Sequence, residues 1–270
     1  MHRLRFHKGH GTMNDFIMFT DSEGFTIMDP KFIAALTHRR TGIGADGIIR
    51  AVRAGVMQEW DGDPDLWFMD YYNADGTVAE LCGNGLRVFG IYLMQQQLVS
   101  APDFDVATRA GLKHISVDYD SIAAEIGTAK IFDDPVTITT RDGTWDAVPV
   151  ELANPHAVVF VDQDQLPELH LDRAPEWKPE DRFPQGANIE FVSIIDDNHL
   201  SMRFHERGSG ETMSCGTGVV AAASAHRARN GVEGPVHVQV PGGNLRVDFD
   251  GNVATLVGQA VITGDGTFWL

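Results

Sequence analysis

Short apolar runs broken by glycine-rich turns dominate the chain, and few stretches carry the spacing of a long amphipathic helix. Alternation over Arg3 to His10 predicts an edge strand, and Phe16 to Phe19 a short buried one. Asp29-Pro30 opens a helix on Phe32, Ile33, Leu36 and Thr37. Leu66 to Tyr72, Phe104 to Thr108, Lys113 to Val117 and Ala123 to Ile126 read as strands. So do Val136 to Thr140, Ala157 to Val161, Asn188 to Ile195 and Leu200 to His205, then Val236 to Val240, Leu245 to Phe249 and Val253 to Val257, with a short helix over Gln165 to Leu171. Two runs depart from strand periodicity: Leu86 to Leu98, and Val219 to the Asn230-Gly231 stop. Both are apolar on nearly every side, which marks helices enclosed by their surroundings.

Each of these helices follows the same motif. Cys82-Gly83-Asn84-Gly85 precedes the first, and Cys215-Gly216-Thr217-Gly218 the second; the chain has no other cysteine. The motifs lie 133 positions apart (215 − 82), and that offset also sets Met69 on Met202 and the strand 67–72 on the strand 200–205. Ile126-Gly127 meets Val257-Gly258 at a slightly different offset, so small insertions separate two copies. The pattern predicts an α+β protein of two similar domains related by a pseudo-twofold axis, each a curved mixed sheet or barrel around a central helix. Expected bounds are 1–123, joined by the C-terminal segment 258–270, and 124–257. The axis would bring both cysteine turns to one cleft.

A net charge of −17 argues against a nucleic-acid partner and means that any anion site must be built locally. No apolar run is long enough to span a bilayer, and no charged-then-apolar leader opens the chain, so a cytoplasmic protein with reduced thiols and no membrane partner is expected. His7 and His10 have no further ligands nearby and read as surface histidines, and no metal is expected.

A lone cysteine in an apolar chain is usually a small buried hydrophobe. Here glycines follow each thiol at a strand-to-helix junction, twice. A helix start offers unpaired N–H groups and a positive dipole end, which lowers a thiol pKa and receives carboxylates. One thiolate and one thiol on opposite faces of a carbon can invert it without a covalent intermediate. The N–H groups of Gly83, Asn84, Gly216 and Thr217 could hold an α-carboxylate as it gains enolate charge. A redox dithiol usually spaces its cysteines two residues apart, and two thiolates alone do not hold a metal. A non-enzymatic amino-acid-binding module and a redox-sensing Cys82–Cys215 disulfide remain open alternatives. Lys8, Lys31, Lys113, Lys130 and Lys178 lie in no phosphate-cradling context, so a pyridoxal phosphate enzyme ranks low.

Several segments resemble diaminopimelate epimerases, in that family's order and across nearly the whole chain. They are Asn14-Asp15-Phe16, Gly44-Ala45-Asp46-Gly47, Asn73-Ala74-Asp75-Gly76, the first cysteine motif, Asn154-Pro155-His156, Gly186-Ala187-Asn188, the 206–212 stretch Glu-Arg-Gly-Ser-Gly-Glu-Thr, and the second cysteine motif. Cys-Gly-x-Gly alone is shared with proline racemase relatives, so a racemase of another amino acid is the runner-up. The resemblance implies a cofactor-independent epimerase interconverting LL- and meso-diaminopimelate for lysine and peptidoglycan precursors, commonly a homodimer. Cys82 and Cys215 would be the two bases. Arg207 would take the distal carboxylate. Asn14, Asn73, Asn154 and Asn188 would hold ammonium and carboxylate groups, with Asn84 and Thr217 at the helix starts. Glu206 would contact substrate or thiol, with His156 and Gly47 in support. Three features depart from the family pattern: Thr12-Met13 before Asn14, Gly47 where some members carry an amide, and the bulky Val219-Val220 pair.

Overall fold

The computed structural model describes residues 3–119 and 121–269. Two compact units emerge: one runs to Ala124 and takes back the chain from Gly258 onward, and the other spans Glu125–Val257.

In the first unit, strands β1 (Arg3–Gly11) and β2 (Asn14–Thr20) form a hairpin, followed by helix α1 (Pro30–Thr37), β3 (Gly47–Arg53), β4 (Trp67–Asn73), α2 (Gly83–Gln95), β5 (Asp103–Thr108) and β6 (Gly111–Asp118); β7 (Ser121–Thr128) runs through the boundary after Ala124. In the second, the order is β8 (Lys130–Ile131), β9 (Val136–Thr140), β10 (Gly143–Glu151), β11 (Pro155–Phe160), β12 (Glu176–Lys178), β13 (Asn188–Asp196), β14 (His199–Glu206), β15 (Gly210–Glu211), α3 (Gly216–Asn230), β16 (Val236–Val240), β17 (Gly243–Asp250) and β18 (Val253–Gly258). The last strand, β19 (Val261–Trp269), belongs to the first unit.

Both units are mixed sheets. β2 runs parallel to β3 and β4 parallel to β5, with antiparallel pairs between. β11 runs parallel to β13 and β14 parallel to β16 in the same manner. β1 is not an edge strand, because β19 pairs along its other side. β19 carries Thr263-Gly264-Asp265-Gly266-Thr267 in its middle, which hides its strand character from periodicity. The helix expected over Gln165 to Leu171 is a single 3₁₀ turn, Leu166–Glu168, with Leu166, Leu169 and Leu171 buried. Pro167 has no N–H to continue it.

Helix α2 ends at Gln95, short of the expected Leu98. Gln97 adopts φ 56°, and the Leu98 N–H returns to the Leu93 carbonyl at 2.9 Å, a Schellman-type stop. Helix α3 stops at Gly231 with φ 64°. Leu86, Val88, Phe89 and Leu93 are fully buried against strands of their unit, as are Val219 through Ala223 in theirs. Burying each large side chain contributes about 1.5–3 kcal/mol, so each helix is fixed by its sheet rather than by propensity.

Candidate functional site

Cys82 and Cys215 are the N-caps of α2 and α3, in nearly the same extended backbone conformation (φ −133°, ψ 113° and φ −119°, ψ 107°). Each sulfur accepts the N–H three residues on, Gly85 at 3.3 Å and Gly218 at 3.4 Å. The thiols therefore do what a serine or aspartate does at an ordinary helix start. Both are present as thiols, Cys215 buried and Cys82 partly so. Gly83, Asn84, Gly216 and Thr217 form the first turns.

Around Cys82 the polar groups are amides. Its thiol donates to Asn14 Oδ1 at 3.6 Å, and Asn84 Nδ2 donates to the same oxygen at 3.3 Å. Asn14 Nδ2 donates to Asp46 Oδ2 at 2.9 Å. Asp46 and Asp15 share Arg39, and Lys8 also pairs with Asp15. Burial opposes charge on Asp15, but Arg39 and Lys8 prevail and hold its carboxyl well below the usual range. Asn14 is delivered by a two-residue turn whose residues, Thr12 and Met13, have φ 50° and 66°. Such paired positive φ values suit a tight hairpin but favour Asn and Gly. With Thr and Met each such residue costs about 1–3 kcal/mol. Arg87, on α2 and fully buried, donates to Thr12 Oγ1 at 3.2 Å and to Asn84 Oδ1 at 2.6 Å.

Asn73 has other partners. Its amide accepts from the Tyr71 hydroxyl at 2.9 Å and donates to Thr77 Oγ1 at 3.0 Å, as a turn-stabilising side chain would. Gly47 is required by packing: a Cβ there would lie 2.6 Å from the Tyr71 ring and from the Tyr72 carbonyl. The space an amide side chain would occupy is thus filled by Tyr71.

Around Cys215 the polar groups are acids. Its thiol lies 3.6 Å from Thr217 Oγ1. Burial pushes its pKa well above the ordinary value, and the Glu206 and Glu190 carboxylates push the same way. The Thr217 hydroxyl and Gly218 N–H act against them. Glu190 and His156 are fully buried, joined at 2.6 Å between Oε1 and Nδ1, and His156 Nε2 meets Asn154 Oδ1 at 2.9 Å. The parallel register of β11 and β13 sets His156 beside Asn188, with Glu190 two residues on. Asn188 Oδ1 accepts the Arg207 backbone N–H at 2.9 Å, and Glu206 accepts from Thr212. The Arg207 side chain is exposed; its Nη1 donates to the Gln185 carbonyl at 3.5 Å, and it forms no ion pair among the described residues.

The structure thus gathers Asn14 and Asn84 at Cys82, and Asn154, His156, Asn188, Glu206 and Thr217 around the Cys215 side of the other unit. Sequence reasoning missed Glu190 and Arg87. Each is a charged residue within an apolar stretch, and that anomaly was the available signal. Among the described residues no group of three or more His, Cys, Asp and Glu is placed to hold a metal, and no helix is long and apolar enough to cross a membrane.

The chain matches the family described as "Diaminopimelate epimerase" over residues 6–132 and 148–268. It is 42% identical to the diaminopimelate epimerase of Corynebacterium glutamicum (strain R), over 97% of both chains. The Thermobifida fusca protein of that name is also 42% identical, over 97% of both, and that of Streptomyces coelicolor 41%, over 99% of this chain and 97% of its own. Solved structures share the fold at low identity. A probable proline racemase from Agrobacterium radiobacter K84 aligns with TM-score 0.72 at 14% identity, covering 99% and 93% of the two chains. A Bacillus anthracis phenazine biosynthesis protein of the PhzF family aligns with TM-score 0.69 at 14% identity over the whole of both. With two thirds of the chain and more matched at this identity, the chain belongs to the diaminopimelate epimerase family.

Proposed function

We propose that this chain is a cofactor-independent epimerase that interconverts LL- and meso-diaminopimelate, supplying lysine and peptidoglycan precursors. The observation that carries the reading is the pair of cysteines capping two matched helices, one in each unit. In the reaction, one cysteine thiolate takes the α-proton, breaking C–H and leaving the electron pair in the carboxylate-conjugated carbanion. The other thiol delivers its proton to the opposite face, and the pair exchanges protonation states. The helix-start N–H groups of Gly83, Asn84, Gly216 and Thr217 stabilise the developing enediolate charge. Arg207 takes the distal carboxylate in bidentate fashion, and Asn14, Asn73, Asn154, Asn188 and Glu206 hold the ammonium and carboxylate groups, with His156 and Gly47 supporting them. The reading brings with it a cytoplasmic homodimer without pyridoxal phosphate.

The test is α-proton exchange with solvent deuterium on LL- and meso-diaminopimelate, using reduced protein and no added cofactor. Wild type should wash in deuterium, and Cys82→Ala and Cys215→Ala should each lower epimerisation by about 10²–10⁴-fold. An unaltered rate in either variant removes the two-base reading. Size-exclusion chromatography checks the homodimer.

A further inference from the structure

We infer that Arg87 is the positioning residue of the Cys82 half, biasing that cysteine toward its thiolate and fixing the direction of the amides around it. Arg87 is completely enclosed, and it makes no ion pair among the described residues. Its Nη1 donates to the Gln259 carbonyl at 2.8 Å, its Nη2 to Asn84 Oδ1 and Thr12 Oγ1, and its Nε has no partner. A buried charge is normally paired or lost. Burial draws this guanidinium down to about 10, and a negative charge on Cys82 acts in the opposite sense. That support is mutual, since whatever a thiolate does for the cation the cation does for the thiolate.

The hydrogen bonds add orientation to charge. Arg87 can only donate, so Asn84 must present Oδ1 to it and Nδ2 to Asn14. At the far end Asp46 can only accept, so Asn14 must present Nδ2 to it and Oδ1 toward Cys82. Two charges of opposite sign therefore set the polarity of both amides. A Cβ on Gly11 would stand 3.2 Å from Arg87 Nη2, so the glycine leaves room for the guanidinium under the strained Thr12-Met13 turn.

Other charged groups on the elements around α2 are compensated locally. Arg50 of β3 and Arg109 share the buried Asp70 of β4. Asp15, Asp46, Arg39 and Lys8 pair among themselves. His7 of β1 lies edge-on to Tyr92, and burial lowers its pKa from the ordinary imidazole value. Asp265 of β19 pairs with Arg5 at the surface, Lys113 of β6 is itself engaged, and Glu80 ahead of Cys82 is exposed and screened by solvent. The long S–H contact to Asn14 opposes ionisation weakly beside a full buried charge. Arg87 acts through Cys82 and Asn84 and does not itself touch a reacting carbon. Its consequence for turnover rests on the epimerase reading, whereas the ionisation bias does not, so either can fail alone.

The test is alkylation of the reduced full chain by iodoacetamide across a pH range, without substrate, each cysteine followed by peptide mass spectrometry. In Arg87→Met the Cys82 midpoint should rise by about one unit, slowing its alkylation about tenfold at neutral pH, with Cys215 unmoved. Arg87→Lys, which keeps the charge, should restore most of the profile. A cooperatively melting Arg87→Met protein with the wild-type Cys82 profile overturns the inference. A lysine variant indistinguishable from methionine does so too, by assigning the effect to packing. Should Arg87→Met not fold, the unaltered protein decides: Cys82 must titrate at lower pH than Cys215, and equal or reversed midpoints overturn the proposal.

Discussion

The two cysteine turns share a backbone and differ in what lies beneath them. At the repeat offset, Arg87 of α2 falls on Val220 of α3, and Asn84 falls on Thr217. One half sets a buried cation and two amides under its thiol; the other sets two carboxylates and a histidine. Like charges near a thiol favour its protonated form, and an opposite charge favours the thiolate. The two halves thus keep the same cysteine-capped helix start while their surroundings differ in sign. On the two-base reading, this difference sets which sulfur holds the proton before substrate binds.

The largest effect that would break the comparison is expected at Glu190. Glu190→Gln keeps the shape, removes a charge that raises the Cys215 pKa, and changes what His156 meets. The Cys215 alkylation midpoint should fall, and turnover should drop about ten- to a hundredfold as the thiol loses its hold on the proton. An unmoved midpoint would mean that burial and Glu206 govern this sulfur without Glu190.

The glycines give a smaller contrast. A Cβ at Gly218 would meet Glu190 Oε1 at 2.7 Å and Cys215 Sγ at 3.2 Å, whereas at Gly85 the nearest atom, at 2.9 Å, is the flexible end of Met69. Gly218→Ala should therefore cost about 2 kcal/mol in urea unfolding. Gly85→Ala should be nearly neutral, as Met69 yields and helix propensity offsets the rest. Equal costs would show that the two turns are packed alike.

The smallest effect concerns acid. Asp15 is held ionised by Arg39 and Lys8, so its folded-state pKa lies below the unfolded value. Its contribution is complete above the ordinary carboxylate range and is lost as pH falls through the folded-state pKa. Asp15→Asn should cost about 1 kcal/mol at neutral pH, and the two proteins should converge in strong acid. A difference that persists there would mean that shape, not charge, matters at this position.

Local chemistry made much of this legible. Cys-Gly-x-Gly before an all-round apolar run announces a capped, enclosed helix, and the repeat of that motif announces its partner. The strands of β4 and β14 were visible from their apolar runs, as was the fold class. What escaped depends on contacts between distant segments. β10 and β19 are too polar or glycine-rich to read as strands, and β1 cannot be known as an interior strand until β19 is found beside it. Glu190 has meaning only because β13 runs under α3, and Arg87 only because the Thr12 turn closes over α2. Val219 and Val220, unusual after the second motif, are fully buried core residues of their unit.

The return of β19 to β1 also bears on how the polypeptide is made. The second half is one continuous stretch, Glu125–Val257, and can complete its sheet as soon as it leaves the ribosome. The first half, though synthesised earlier, waits for the final residues before β1 gains its neighbour, and until then it shows an open β-edge to other nascent chains.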